Sequence, residues 1–80
     1  MRVEVRLFAT LGRYLPPGTR GDSATLELPA GATVEHVIRE LRIPPELECL
    51  TVVNGRDAAP AQPLAEGDVV SMFPPLMGGA

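Results

Sequence analysis

Between Thr33 and Pro45 the chain carries a helical pattern with only one apolar face. Val34, Val37, Ile38 and Leu41 fall at i, i+3, i+4 and i+7. Thr33 is the expected N-cap, its hydroxyl accepting from an early backbone N–H. Glu35 lies near the helix N-terminus and Arg39 and Arg42 near its C-terminus, as the helix dipole prefers. Pro44-Pro45 is expected to stop the helix. A helix with one greasy stripe has to lie across something flat and apolar, so the rest of the chain has to supply a sheet.

The flanking segments read as that sheet. In "RVEVRLF" (2–8), Val3, Val5 and Leu7 alternate with Arg2, Glu4 and Arg6, the pattern of a half-buried strand. Leu11, Tyr14 and Leu15 have helical spacing, but Gly12 and Pro16-Pro17-Gly18 limit this stretch to a turn or two. "ATLEL" (24–28) alternates again, placing Ala24, Leu26 and Leu28 inward and suggesting an antiparallel pair with the first strand. "LTVV" (50–53) forms a third strand. Asn54-Gly55 is a hairpin signal, because both residues tolerate positive φ. Proline and alanine in 56–66 leave room for a short strand only, and "VVSMF" (69–73) forms the last long one. This order gives an α+β fold, a grasp arrangement: a mixed sheet of four to five strands with one main helix packed across it. The C-terminal strand then belongs in the middle of the sheet.

Composition narrows the function. Eighty residues with 45% hydrophobic and 21% charged side chains make one globular domain with a small core, burying about 60% of the surface its unfolded chain exposes. No apolar run approaches the ~20 residues that cross a bilayer, and the alternating N-terminus is not a signal peptide. A cytoplasmic location and no membrane partner are expected. The net charge is −3, and all seven basic residues are arginines scattered along the chain. No basic patch or aromatic pairs for base stacking are visible, which argues against a nucleic-acid partner. There is no lysine, so no side-chain amine can accept an isopeptide bond. Cys49 is the single cysteine. It reads as a small hydrophobe; a persulfide role finds no support, since Glu46 and Glu48 would raise a thiol pKa. His36 reads as a surface residue without partners for a metal.

The C-terminus "PPLMGGA" (74–80) is the segment that points to chemistry. Pro74 and Pro75 lack an N–H, so they cannot continue the ladder, and they keep the exit extended. Leu76 and Met77 offer apolar grip. Gly78 and Gly79 can thread a narrow channel and place a carboxylate in another active site. The expected division is a domain over 1–75 and a flexible tail over 76–80.

With "Phe8-Ala9-Thr10-Leu11", "Val53-Asn54-Gly55", "Leu64-Ala65-Glu66-Gly67-Asp68-Val69-Val70" and "Phe73-Pro74-Pro75-Leu76-Met77-Gly78-Gly79", the sequence resembles the small subunit of molybdopterin synthase. That family belongs to the ubiquitin-like β-grasp sulfur carriers, with the thiamine-pathway carrier as a relative. The specificity comes from the order and spacing of the set, which covers nearly the whole chain. The segment after the first strand and the Phe-Pro-Pro exit favour the molybdopterin type.

The resemblance implies a mechanism. An ATP-dependent, E1-like adenylating enzyme would activate the terminal glycine, and a persulfide sulfur donor would convert it to a thiocarboxylate. The tail would then enter the large synthase subunit and give sulfur to a pyranopterin, towards a molybdenum or tungsten cofactor. By position Gly79 would carry the sulfur and Gly78 would give clearance. Phe73, Pro74, Pro75, Leu76 and Met77 would dock, with Val53 and Phe73 in an apolar patch on the exposed sheet face. The chain itself would bind no cofactor and would have no active site of its own; ATP belongs to the activating partner. Ala80 departs from the family pattern, because an internal Gly79 carbonyl is an amide. A peptidase removes it, it stems from how the chain was made, or this member lacks the carrier role. Removal accords best with the retained Pro-Pro and Gly-Gly. Two other roles stay open: a sulfur carrier for thiamine or another pathway, and a binding module or protein modifier without sulfur chemistry.

Overall fold

The computed structural model describes residues 1–16, 19, 21–44, 47 and 49–74. Five strands form one sheet: β1 (Arg2–Leu7), β2 (Ser23–Glu27), β3 (Leu50–Val53), β4 (Arg56–Asp57) and β5 (Val69–Phe73). Their spatial order is β2-β1-β5-β3-β4. β1 and β5 run parallel, and β1–β2, β3–β5 and β3–β4 run antiparallel. The last strand is therefore central, as the sequence order required.

One face of the sheet holds the core. Val3, Val5 and Leu7 of β1 and Val70 and Met72 of β5 are buried there with Val34 and Val37 of the helix. The opposite face carries no helix among the described residues, which leaves the outward residues of β1, β3 and β5 to face solvent. The "ATLGRY" stretch is a short 3₁₀ helix (Ala9–Tyr14) that buries Leu11.

The helix α1 (Val34–Glu40) starts and stops by other means than its sequence suggests. Thr33 occupies the N-cap with extended backbone angles but makes no side-chain cap bond. The first free N–H groups go instead to a neighbouring loop: Val34 donates to the Gln62 carbonyl at 3.0 Å and Glu35 to the Pro60 carbonyl at 2.9 Å. Tertiary carbonyls thus do the capping. At the other end Leu41 is the C-cap, and the chain turns at Arg42 in the left-handed region (φ 60°). Arg42 N–H bonds the Arg39 carbonyl and Ile43 N–H bonds the Ile38 carbonyl, the paired bonds of a Schellman stop. The helix has ended before Pro44 is reached.

Candidate functional site

The central strand β5 is fastened at both ends. At its start, the Asn54-Gly55 turn (φ 51° and 85°) joins β3 to β4 with Val53 opposite Arg56; successive positive φ angles mark the hairpin turn that Asn-Gly favours. Asn54 N–H donates to the Val69 carbonyl at 2.9 Å. Val69 N–H donates to Asn54 Oδ1 at 2.9 Å, and Asn54 Nδ2 donates to Asp68 Oδ1 at 2.9 Å. The other Asp68 oxygen accepts from Ala65 N–H at 2.8 Å. One asparagine and one aspartate therefore tie the hairpin to the turn that launches β5. The Glu66-Gly67 turn is stitched to β1 as well: Gly67 N–H donates to the Arg2 carbonyl at 2.8 Å and Arg2 N–H to Glu66 Oε1 at 2.9 Å.

At its far end, β5 is held from both sides. Phe8 N–H donates to the Met72 carbonyl at 3.2 Å, and Leu50 of β3 lies opposite Phe73. The Phe8 and Phe73 rings stack with centroids 4.7 Å apart and planes within 4°. Both rings project from the open face, because they fall in step with outward Arg6 and Ser71. Phe73 is 36% exposed and Leu50 55%. Phe8, Phe73, Leu50 and Val52 thus form an apolar strip at the tail end of the open face. Towards the β2 side the same face is polar, with ion pairs between Arg2 and Glu27 (3.3 Å) and between Arg6 and Glu4. A partner gripping this strip would meet apolar surface beside the tail and charge farther away.

The structure sorts the expected site residues. Phe73 stands on the open face, and Pro74 follows it, half-buried. Val53 does not belong to the patch: it is 4% exposed and lies in the core. Register decides this. Val53 pairs with Val70 and Thr51 with Met72, both 0% exposed, so cross-strand partners share the inner face and Leu50 and Val52 point out. Alternation within a four-residue strand could not fix that phase, and the outward place of Leu50 is hidden for the same reason. The outward parity of Phe8 was readable from Arg2, Glu4 and Arg6. Pro75, Leu76, Met77, Gly78, Gly79 and Ala80 lie outside the described residues.

Cys49 and His36 stand apart from this strip. Cys49 is half-buried, its Sγ 3.6 Å from the Leu47 carbonyl, and burial pushes its thiol above the ordinary value. That is the opposite of an activated nucleophile. His36 is half-buried on α1, and no group of three or more His, Cys, Asp or Glu side chains suited to a metal occurs among the described residues. No helix among them is long and apolar enough to cross a membrane.

Comparison with known proteins agrees with the fold. The sequence profile of the ThiS family matches residues 5–79. No curated protein matches the sequence significantly. Among solved structures, SAMP1, the small archaeal modifier protein 1 of Haloferax volcanii, superposes with a TM-score of 0.75 at 26% identity, covering 99% of this chain and 100% of the other. A protein assigned as molybdopterin converting factor, subunit 1, from Pyrococcus furiosus gives 0.73 at 29% identity, covering 94% and 98%. The complex of subunits 1 and 2 of molybdopterin-converting factor from Helicobacter pylori gives 0.63 at 24% identity, covering 99% and 100%; at that identity it speaks for the fold alone.

Proposed function

The chain belongs to the ThiS family of ubiquitin-like sulfur carriers, and from that we propose that it carries sulfur as a C-terminal thiocarboxylate for molybdopterin assembly. The observation that carries this reading is the placement of β5. A strand hydrogen-bonded on both sides ends at Phe73 and hands over to Pro74 beside an apolar strip. A tail launched from there starts at a fixed point and direction, which lowers the cost of positioning its end in a partner's active site. The similarity to the Pyrococcus protein assigned as molybdopterin converting factor, subunit 1, favours the molybdopterin pathway over the thiamine one.

The chemistry divides between this chain and its partners. Once Ala80 and anything beyond it are removed, the Gly79 carboxylate attacks the α-phosphate of ATP in an E1-like enzyme and pyrophosphate leaves. A persulfide sulfur then displaces AMP from the acyl carbon. A second thiol breaks the resulting S–S bond and leaves the thiocarboxylate. In the large synthase subunit that anionic sulfur attacks a carbon of the pterin precursor, and an oxygen on that carbon leaves as water. A second water cleaves the acyl C–S bond, which leaves the sulfur on the pterin and returns Gly79 as a carboxylate. This chain contributes the glycine carbonyl, the narrow path of Gly78-Gly79 and the Phe8–Phe73–Leu50 grip. The partners contribute acid and base groups.

The test is the intact mass of the protein from its native host, together with the proteins that co-purify with it. A chain ending at Gly79 with one oxygen replaced by sulfur, bound to a large synthase subunit, is the expected result. Full-length chain persisting in cells that make the cofactor would overturn it. A second reading, protein modification through Gly79, is favoured by the similarity to the Haloferax modifier. It predicts Gly79 joined to lysines of other proteins. The absence of lysine here would keep such conjugates from branching through the carrier's side chains.

A further inference from the structure

A groove of about 690 Å³ opens between α1, the segment entering β3, and the β3–β4 edge. Its walls are mostly apolar, with Ile38, Ile43, Leu47, Leu50 and Ala58, and Cys49 also lines it. Leu47 and Leu50 are 37% and 55% exposed. Ile38 belongs to the helix stripe that ought to be buried, yet it remains half-exposed along this groove. Surface of this kind gains from being covered.

The occupant is set by where the chain goes next. Phe73 pairs with Leu50, a wall of the groove. Continuing that antiparallel register by one residue brings Pro74 beside Cys49. Six residues follow Pro74, including Leu76 and Met77. Three extended residues reach about 10 Å, so Met77 can enter a groove whose wall stands next to the exit. We infer that the groove is the resting seat of the chain's own Leu76-Met77, which leaves it when a partner takes the tail. A short tether gives this segment a high effective concentration that a separate peptide lacks. Ordering the tail opposes the gain from two apolar side chains, so the seat exchanges and does not lock. It keeps the docking residues from solvent in the free carrier and makes each partner compete for them. The seat concerns the free chain and does not depend on which sulfur pathway it serves.

The test uses the full chain. NMR of a methyl-labelled sample is expected to show contacts from the Met77 methyl to Ile38, Ile43 or Leu47 within one molecule, unchanged on dilution. Cys49 is the only thiol, so its labelling by a small aromatic disulfide reports cover of the groove. M77D and L76D are expected to label severalfold faster than wild type, with the β-strand amide spectrum unchanged. Absence of the methyl contacts, contacts that appear only between differently labelled chains, or variants that label at the wild-type rate would each overturn the seat.

Discussion

Asn54 Nδ2 donates to Asp68 Oδ1 at 2.9 Å across 14 residues of sequence, and this bond is what makes a hairpin turn part of the β5 anchor. The Asn54 side chain serves two groups, Asp68 and the Val69 N–H, while its backbone holds φ 51°. Asn54→Ala removes both bonds and leaves a side chain that resists that φ. At about 1 kcal/mol per hydrogen bond and ~1 kcal/mol for the backbone, the loss is about 2–3 kcal/mol. Asn54→Gly keeps the turn and loses only the bonds, so its cost should be about 1 kcal/mol smaller than that of Asn54→Ala. Urea unfolding of the two variants separates clasp from turn. Equal losses would show that the positive φ costs alanine nothing here, and wild-type stability in Asn54→Gly would show that the side-chain bonds contribute nothing.

Phe73 and Val53 lie on neighbouring strands and face opposite ways, so their variants should fail differently. Val53→Ala deletes buried methyl groups at about 0.8 kcal/mol each plus a cavity contribution, giving a loss of about 2 kcal/mol in stability. Folded V53A should bind the large synthase subunit as wild type does. Phe73→Ala removes a stack worth about 0.5–1.5 kcal/mol and should weaken that binding by tenfold or more if Phe73 is a central contact. Denaturation and titration calorimetry on the same samples decide it. A V53A that binds poorly while fully folded would return Val53 to the interface.

Periodicity made the sheet and the helix legible, because long alternating runs such as 2–8 admit one phase only. It failed where a segment was too short to fix its own phase, as in 50–53, where β5 chose which valine faced inward. The helix ends show a related limit: Thr33 is the N-cap residue, but its side chain makes no cap bond. Thr33 and Pro44 are local signals, whereas the actual cap and stop come from the carbonyls of Pro60 and Gln62 and from Arg42 turning left-handed. Contacts across 25 residues and an arginine at a position that favours glycine leave no local trace. The Asn54 and Asp68 motifs were visible as turns, but nothing in either turn announces that they bond to each other.

Arg42 gives a test of that helix stop. Its φ of 60° costs an L-residue roughly 1 kcal/mol that glycine does not incur. Part of the gain is offset by the greater freedom of glycine in the unfolded chain. Arg42→Gly should therefore stabilise by about 0.5 kcal/mol, a rise of about 2–4 °C in melting temperature for a domain of this size. Arg42→Val, branched at Cβ, should destabilise instead. A lower melting temperature for R42G would mean that the arginine side chain makes a contribution larger than its backbone strain.

Burial sets the pH behaviour of Cys49. Its thiol is raised above the ordinary value, so the folded chain keeps the proton to higher pH than the unfolded chain does. The stability contributed by this difference is complete below the unfolded thiol's pKa and fades as pH rises through the folded one. Alkylation by iodoacetamide follows the thiolate. Its rate–pH curve in native protein should therefore lie at higher pH than the curve in denaturant, and Cys49→Ala should lose less stability at alkaline pH than wild type. A native curve at the same pH as the denatured one would show that burial leaves the thiol unshifted, and one at lower pH would make Cys49 an activated thiol and reopen the persulfide reading that its half-buried position now argues against.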